Sequence, residues 1–280
     1  MQFFKKVFTK SKQKEQENFF NQECRIIAIA NQKGGVGKST TAVNLAAFLG
    51  MEGLNTLLVD MDPQSNSTSG LGINSENINS SIYDILIEDQ DPNQVIMETE
   101  FDHLKLIPSS IELAGAEVEM VSSMKREYKL DKAIDKIKDQ FQYIIIDCPP
   151  ALSLLTINAL TAAREVLIPI QCEYYALEGL GQLINTINLV KNNLNEGLEI
   201  TGAVMTMYDP RTRLAEEVIK EVRNYFDKKL FTTIIPRNVR LSEAPSYGQP
   251  IMIYDSGCKG SVAYKNLMKE VIENGKKRIG

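Results

Sequence analysis

Apolar and polar positions follow two rhythms along these 280 residues. Short, mostly apolar runs recur at 25–30, 56–60, 104–107, 143–147, 166–170, 198–205 and 232–235. Between them, apolar residues return at helical spacing. Examples are Ala42, Leu45, Ala46 and Leu49, then Leu130, Ala133, Ile134 and Ile137, then Leu214, Val218, Val222 and Phe226. The first set predicts strands, the second helices, with helices over 39–50, 82–87, 112–124, 130–139, 152–163, 177–194, 214–226 and 261–273. A strand that is apolar throughout has both faces covered, as in a parallel sheet. Strands alternating with helices therefore predict an α/β fold with a doubly wound, mostly parallel sheet and helices on both faces. In such sheets ligands bind beyond the carboxyl ends of the strands. The ends at Asp60, Asp147, Met205 and Pro236, together with the turn after residue 30, then converge on one site. The polar stretch 61–72, rich in Ser, Asn and Gly, reads as a loop on that face.

The turn after the first strand carries the clearest chemistry. Residues 31–41 read Asn-Gln-Lys-Gly-Gly-Val-Gly-Lys-Ser-Thr-Thr, between a buried strand and a helix start. Glycines 34, 35 and 37 let the backbone wrap an anion, and N–H groups of the loop and helix N-terminus face phosphate oxygens. The expected cradle is Lys33, Gly34, Gly35, Val36, Gly37, Lys38, Ser39 and Thr40. Lys38 would neutralise the β- and γ-phosphates of a nucleotide, and the Ser39 hydroxyl would complete a Mg²⁺ shell. Gln32 stands where the pattern G-x-x-x-x-G-K-[ST] has its first glycine, and Lys33 adds a second lysine. Asp60, Asp62 and Asp147 lie at or just past strand ends. An aspartate there otherwise serves as a turn or cap residue; three of them beside a phosphate loop suit metal binding and water activation. Asp147, before Cys148-Pro149-Pro150, would hold Mg²⁺ through a water.

Composition narrows the classes. With 43% hydrophobic and 24% charged residues the chain is ordinary globular material. No Pro/Gly/Ser-rich linker divides it after residue 24, so 24–280 reads as a single domain. Residues 1–23 differ. Phe3, Phe4, Val7 and Phe8 alternate with Lys5, Lys6, Lys10, Lys12 and Lys14. This is either a solvated, flexible tail or a small basic anchor for anionic lipid or DNA, and its apolar stretch is too short for a secretory signal. No apolar run approaches the ~18 residues of a membrane helix. The net charge of −5 argues against a uniformly basic surface. Four widely spaced cysteines, Cys24, Cys148, Cys172 and Cys258, suggest neither zinc nor a redox pair; Cys148 and Cys172 read as buried thiols in a reducing cytosol. His103 is assigned no role.

The form K-G-G-x-G-K-[ST] resembles the deviant Walker A loop of the ParA/MinD/NifH class of dimeric P-loop ATPases. Leu57-Leu58-Val59-Asp60-Met61-Asp62-Pro63-Gln64 looks like the ParA signature after the second strand. Tyr-Ile-Ile-Ile-Asp-Cys-Pro-Pro at 143–150, Met-Tyr-Asp-Pro-Arg-Thr at 207–212 and Ile-Pro-Arg-Asn-Val-Arg-Leu-Ser-Glu-Ala-Pro-Ser-Tyr-Gly at 235–248 also match. The last resembles the Soj branch of chromosomal ParA proteins. The resemblance spans about 24–275 and implies a Mg²⁺-dependent ATPase that partitions chromosomes or plasmids. In that class Lys33 would reach the nucleotide of a partner copy, and Asp62 would orient or activate the attacking water. Asp60 would support the magnesium shell and loop geometry, and Pro236 and Asn238 would line the adenine. The 23-residue leader is too short for the helix-turn-helix domain of larger plasmid ParA proteins.

The resemblance also implies partners: an ATP-dependent homodimer, nonspecific double-stranded DNA contacted by Arg211 and Arg240, and a ParB/Spo0J-like protein that stimulates hydrolysis. From 207 to 240 eight basic and five acidic residues give a local charge of +3 within a chain of −5. Charge alone fits phosphate contacts or a solvated mixed face equally well. The expected location is cytoplasmic and nucleoid-associated. A MinD-like membrane-positioning ATPase is the nearest alternative, but the C-terminal stretch Val-Ile-Glu-Asn-Gly-Lys-Lys-Arg-Ile-Gly, with one isolated apolar residue after three basic ones, makes a poor membrane helix. A nucleotide-gated regulator acting only through proteins is the other.

Overall fold

Eight strands form one sheet in the computed structural model, which describes residues 23–173 and 179–279. Almost all of the leader, and the predicted helix start at 177, lie outside the described residues. The strands are β1 (Arg25–Ile29), β2 (Thr56–Asp60), β3 (Met97–Glu98), β4 (Leu104–Ile107), β5 (Tyr143–Asp147), β6 (Glu165–Gln171), β7 (Glu199–Tyr208) and β8 (Leu230–Pro236). Their order is β3-β4-β2-β5-β1-β6-β7-β8. Every pairing is parallel except β3 with β4.

The two-residue period of the strands divides the interior into two cores. Ile26, Ala28, Leu57, Val59, Ile144 and Ile146 face one side, where α6 (Lys129–Asp135), α7 (Leu154–Ala162), α8 (Leu180–Asn193) and α9 (Arg213–Phe226) contribute residues such as Ile134, Leu160, Leu183 and Val222. Ile27, Ile29, Leu58 and Ile145 face the other, against α1 (Lys38–Met51) and α12 (Lys259–Ile279). Leu57, Leu58 and Val59 have no exposed surface, and full burial of each such side chain is worth roughly 1.5–3 kcal/mol. Both faces need apolar cover, so adjacent strand positions are both apolar.

Where the sequence reading and the structure differ, tertiary contacts explain it. The expected loop 61–72 contains a one-turn helix, α2 (Asn66–Gly70). It forms because Thr68 bonds back to buried Asp60 through both its N–H and its hydroxyl. The helix expected over 112–124 is α5 (Leu113–Glu119) followed by a 3₁₀ turn at Met120–Ser122. The helix expected over 130–139 ends at Asp135, with a 3₁₀ turn at Lys138–Gln140. Strand β3 is two residues long and depends on pairing with β4. The short helices α3 (Ile82–Ile87), α4 (Pro92–Val95), α10 (Val239–Glu243) and α11 (Ile251–Tyr254) complete the fold.

One close backbone approach ties the 61–72 segment to the chain after β8. Gly72 (φ +79) and Gly248 (φ +62) meet there, and a Cβ on Gly248 would lie 2.4 Å from the Gly72 Cα. Both the left-handed φ and the contact require glycine. Gly248→Ala is expected to cost about 1–3 kcal/mol by strain and displacement, read as a lowered urea midpoint with unchanged m-value.

Candidate functional site

The phosphate loop leaves β1 at Ile29 and enters α1 at Lys38. Gly35 (φ +73) and Gly37 (φ +88) take the left-handed backbone that reverses the chain. Gly37 precedes α1 without any side-chain cap bond, so the helix keeps its N–H groups for an anion. Buried Asn31 fixes the loop entrance: its Nδ2 donates to the Pro169 carbonyl (2.7 Å) and its Oδ1 accepts from the Lys33 N–H (3.0 Å). The Thr206 hydroxyl donates to the Val36 carbonyl (2.9 Å), tying the loop to β7.

The two lysines occupy different surroundings. Lys38 is 6% exposed, and its Nζ donates to the Lys33 carbonyl at 3.1 Å. Burial lowers its pKa, against the opposing pull of Asp147, Cys148 and Asp62. Lys33 is more open and pairs with Glu173 at 2.9 Å.

Parallel register brings the carboxylates together. Asp60 and Asp147 are neighbours across β2 and β5, and Asp147 stands beside Ile29, the last residue of β1. Neither carboxylate is exposed. Burial raises both pKa values; the charge of Asp60 raises Asp147 further, while the Ser67 and Ser39 hydroxyls act against the rise. Asp60 spends its oxygens locally: Oδ2 accepts from the Thr68 N–H (2.8 Å) and hydroxyl (2.7 Å), and Oδ1 from the Asp62 N–H (3.1 Å). It organises the 62–68 segment. Asp147 accepts from Ser67 through Oδ2 (2.7 Å), but its buried Oδ1 has no hydrogen-bond partner. A buried carboxylate oxygen without a donor, next to a second buried carboxylate and influenced by Ser39, suits a hard divalent cation with oxygen ligands. Asp62 accepts from the Gln64 N–H (3.0 Å) and lines a cavity of about 350 Å³ with Gly34, Gly35, Gly37, Lys38, Ser39, Thr40 and Pro150.

A second cavity, about 530 Å³, continues from Gly37 and Thr40 past Met207 to Pro236, Asn238 and Tyr264. Met207, Leu241 and Pro245 line both cavities. The first has loop N–H groups and charge; the second is walled largely by Ile235, Pro236, Val239 and Leu241. Asn238 caps α10 through Oδ1, which accepts from the Arg240 N–H at 2.9 Å. A larger cavity of about 710 Å³, lined by Ser65, Asn74, Ser81 and Glu112, lies beside this site and shares Gln64 and Ser69 with it; it holds none of the phosphate-loop residues.

Arg211 and Arg240 stand apart from the cavities' charge. Arg211 is 84% exposed and pairs with Asp209, Nη2 to Oδ2 at 2.6 Å. Arg240 pairs with Glu243 (3.0 Å) and Asp255 (3.4 Å). Tyr208 and Pro236 are register partners, and the Arg237 N–H donates to the Tyr208 carbonyl, so both arginines sit just past the ends of β7 and β8.

Ser67, Thr68, Glu173 and Thr206 join the site without any mark in the sequence, and Asn31 and Met207 lie in the stretches 31–41 and 207–212 without a role of their own there. Met207 takes a left-handed backbone (φ +52) between the two cavities. No local pattern marks Asn31, Ser67, Thr68, Glu173 or Thr206, because each bonds a partner at least eight positions away, Asn31 to Pro169 and Thr68 to Asp60 among them.

Comparison with known proteins agrees with this geometry. A family model described as an AAA domain matches residues 24–200. The sporulation initiation inhibitor protein Soj of Bacillus subtilis (strain 168) is 55% identical over 251 residues, 90% of this chain and 99% of that protein. The chromosome partitioning protein ParA of Myxococcus xanthus is 53% identical over 249 residues, 89% of this chain and 88% of that protein. Among solved structures, cobyrinic acid a,c-diamide synthase from Mycobacterium smegmatis with bound ATP analog and magnesium superposes with a TM-score of 0.80 at 36% identity, covering 90% of this chain and 96% of that one. With its phosphate loop at the head of a doubly wound sheet, the chain belongs to the Soj/ParA family of chromosome-partitioning P-loop ATPases.

Proposed function

We propose that this protein binds and hydrolyses ATP, and that the ATP state forms a sandwich dimer that holds DNA nonspecifically and lets go after hydrolysis. The observation that carries this reading is the pair of joined cavities. One has the uncapped start of α1, Lys38, Ser39 and Asp62; the other has Pro236 and Asn238. A triphosphate fits the first and an adenine the second, where Asn238 would use Nδ2, its Oδ1 being taken. Residues 24–280 act as one ATPase domain, with 1–23 as a tail. The protein works in the cytoplasm at the nucleoid, with a ParB-like partner that stimulates turnover.

Ser39 and Asp147 would hold magnesium, with Asp60 supporting the shell by fixing the 62–68 segment. Bound there, the ion would neutralise phosphate charge. Lys38 neutralises the β- and γ-phosphates, and the loop N–H groups orient them. Asp62 orients the attacking water. Lys33 of each copy contacts the nucleotide of the other, so nucleotide state and dimer state change together.

The test is retention on nonspecific DNA with ATP, with ADP and without nucleotide, beside flotation with anionic liposomes. Retention only with ATP is expected; ATP-dependent flotation without DNA retention would instead favour a membrane-positioning ATPase. Arg211→Glu should keep ATP binding while abolishing DNA retention at moderate salt. At low salt the slope of log affinity against log salt should fall by about 1 per protomer. An unchanged slope would remove Arg211 from the interface.

A further inference from the structure

Lys33, the residue proposed to act on a second copy, is held within its own chain. Its Nζ lies 2.9 Å from Oε2 of Glu173, two residues beyond the end of β6. Oε1 of Glu173 accepts from the side-chain amide of Gln171, the last residue of β6, and the Glu173 N–H donates to the Gln171 carbonyl at 2.8 Å. The Glu173 carboxylate is thus aimed before Lys33 meets it. The loop backbone is fastened to the same strand through Asn31 and Pro169. Next to Lys33, the Oε1 of Gln32 lies so near Gly179 that a Cβ there would come within 3.0 Å. The first half of the phosphate loop therefore rests against β6 and described residues beyond it, and among these contacts the Lys33–Glu173 pair is the one made of charges.

One ammonium cannot serve both a carboxylate in its own protomer and the phosphates of a partner's nucleotide at full strength. Sharing it would bring two anions within about 6 Å of each other, each repelling the other. We infer that Glu173 is a positioning residue that retains Lys33 in its own protomer, so that pairing of two ATP-loaded copies has to draw Lys33 away from it. This rests on the proposed sandwich dimer. The pair is a third to nearly half exposed, at 33% and 44% for the two side chains. Exposed pairs of this kind shift an equilibrium by roughly 1.5–5-fold. A dimer releases two of them, so the effect on the dimer dissociation constant is the square, roughly 2–25-fold. That is enough to set a threshold in protein or nucleotide concentration, and small enough for nucleotide phosphates to overcome.

The experiment measures the dimer dissociation constant by sedimentation, with magnesium and a non-hydrolysable ATP analogue, for the wild-type chain, Glu173→Gln and Glu173→Asp. Glu173 is half-exposed, and circular dichroism checks that each variant is folded. Glu173→Gln should dimerise roughly 2–25-fold more tightly. Glu173→Asp, which keeps the charge, should stay nearer the wild type. The gap between the wild type and Glu173→Gln should narrow as salt rises, because screening weakens an exposed pair; a structural effect of the substitution would not follow salt. Equal dissociation constants would overturn the inference while leaving the dimer intact. Weaker dimerisation of Glu173→Gln would also overturn it, showing that Glu173 works with Lys33 across the interface. If neither wild type nor variant dimerises, the sandwich-dimer reading itself fails and takes this inference with it.

Discussion

Asp62→Ala is expected to leave ATP bound and unhydrolysed, with turnover reduced by about 10²–10⁴-fold, the usual worth of a positioned acid–base group. The variant should then stay dimeric and remain on DNA after the wild type has released it. The geometry favours this separation of binding from chemistry. Asp62 lines the cavity beside Lys38 and Ser39, and among the described residues its carboxylate accepts from the Gln64 N–H alone. The organisation of the 62–68 segment rests on Asp60, whose two oxygens take three donors. Removing the Asp62 carboxylate thus spares the residues that hold nucleotide. Single-turnover hydrolysis alongside fluorescent-nucleotide binding measures the two effects. Wild-type turnover in the variant would exclude Asp62 from water activation.

Lys33→Ala is expected to give the opposite pattern: ATP still binds one chain, but dimer formation and DNA retention are lost. A hydrogen bond to a charged group contributes roughly 1.5–3 kcal/mol. Two crossed lysines per dimer make about 3–6 kcal/mol, or roughly 10²–10⁴ in the dimer dissociation constant. Lys38→Ala, by contrast, should lose nucleotide binding in the single chain, since Lys38 is buried in the loop and Lys33 is not. Sedimentation and nucleotide binding on both variants distinguish the two lysines. Normal ATP-dependent dimerisation of Lys33→Ala would end the crossed-lysine account.

Much of this was legible from residue order. The short, continuous apolar runs gave the strands that flank β1, and the stretch 31–41 declared a phosphate site before any contact was known. Asp147 was legible because four apolar residues force it to a strand end, and the sheet topology carries every such end to one face. The short helices after β8 were not legible. They are four or five residues long, and their stability comes from neighbours: the Ile251 N–H donates to Asn44 in α1, and Asn238 caps α10. Helices of that length are not stable alone, so no local pattern announces them.

The sequence by itself determined the kind of protein: a doubly wound sheet, a phosphate loop with a second lysine, and carboxylates at strand ends. These follow from periodicity and spacing, which are local. Only the tertiary structure decided how those groups divide the work. Parallel register set Asp60 against Asp147; burial then left Asp147 Oδ1 without a donor, while Thr68 and the Asp62 N–H absorbed Asp60. Folding also carried Glu173 across 140 positions to Lys33. Partners so distant in the chain meet only once the sheet has formed, and nothing in the spacing of either residue encodes the other.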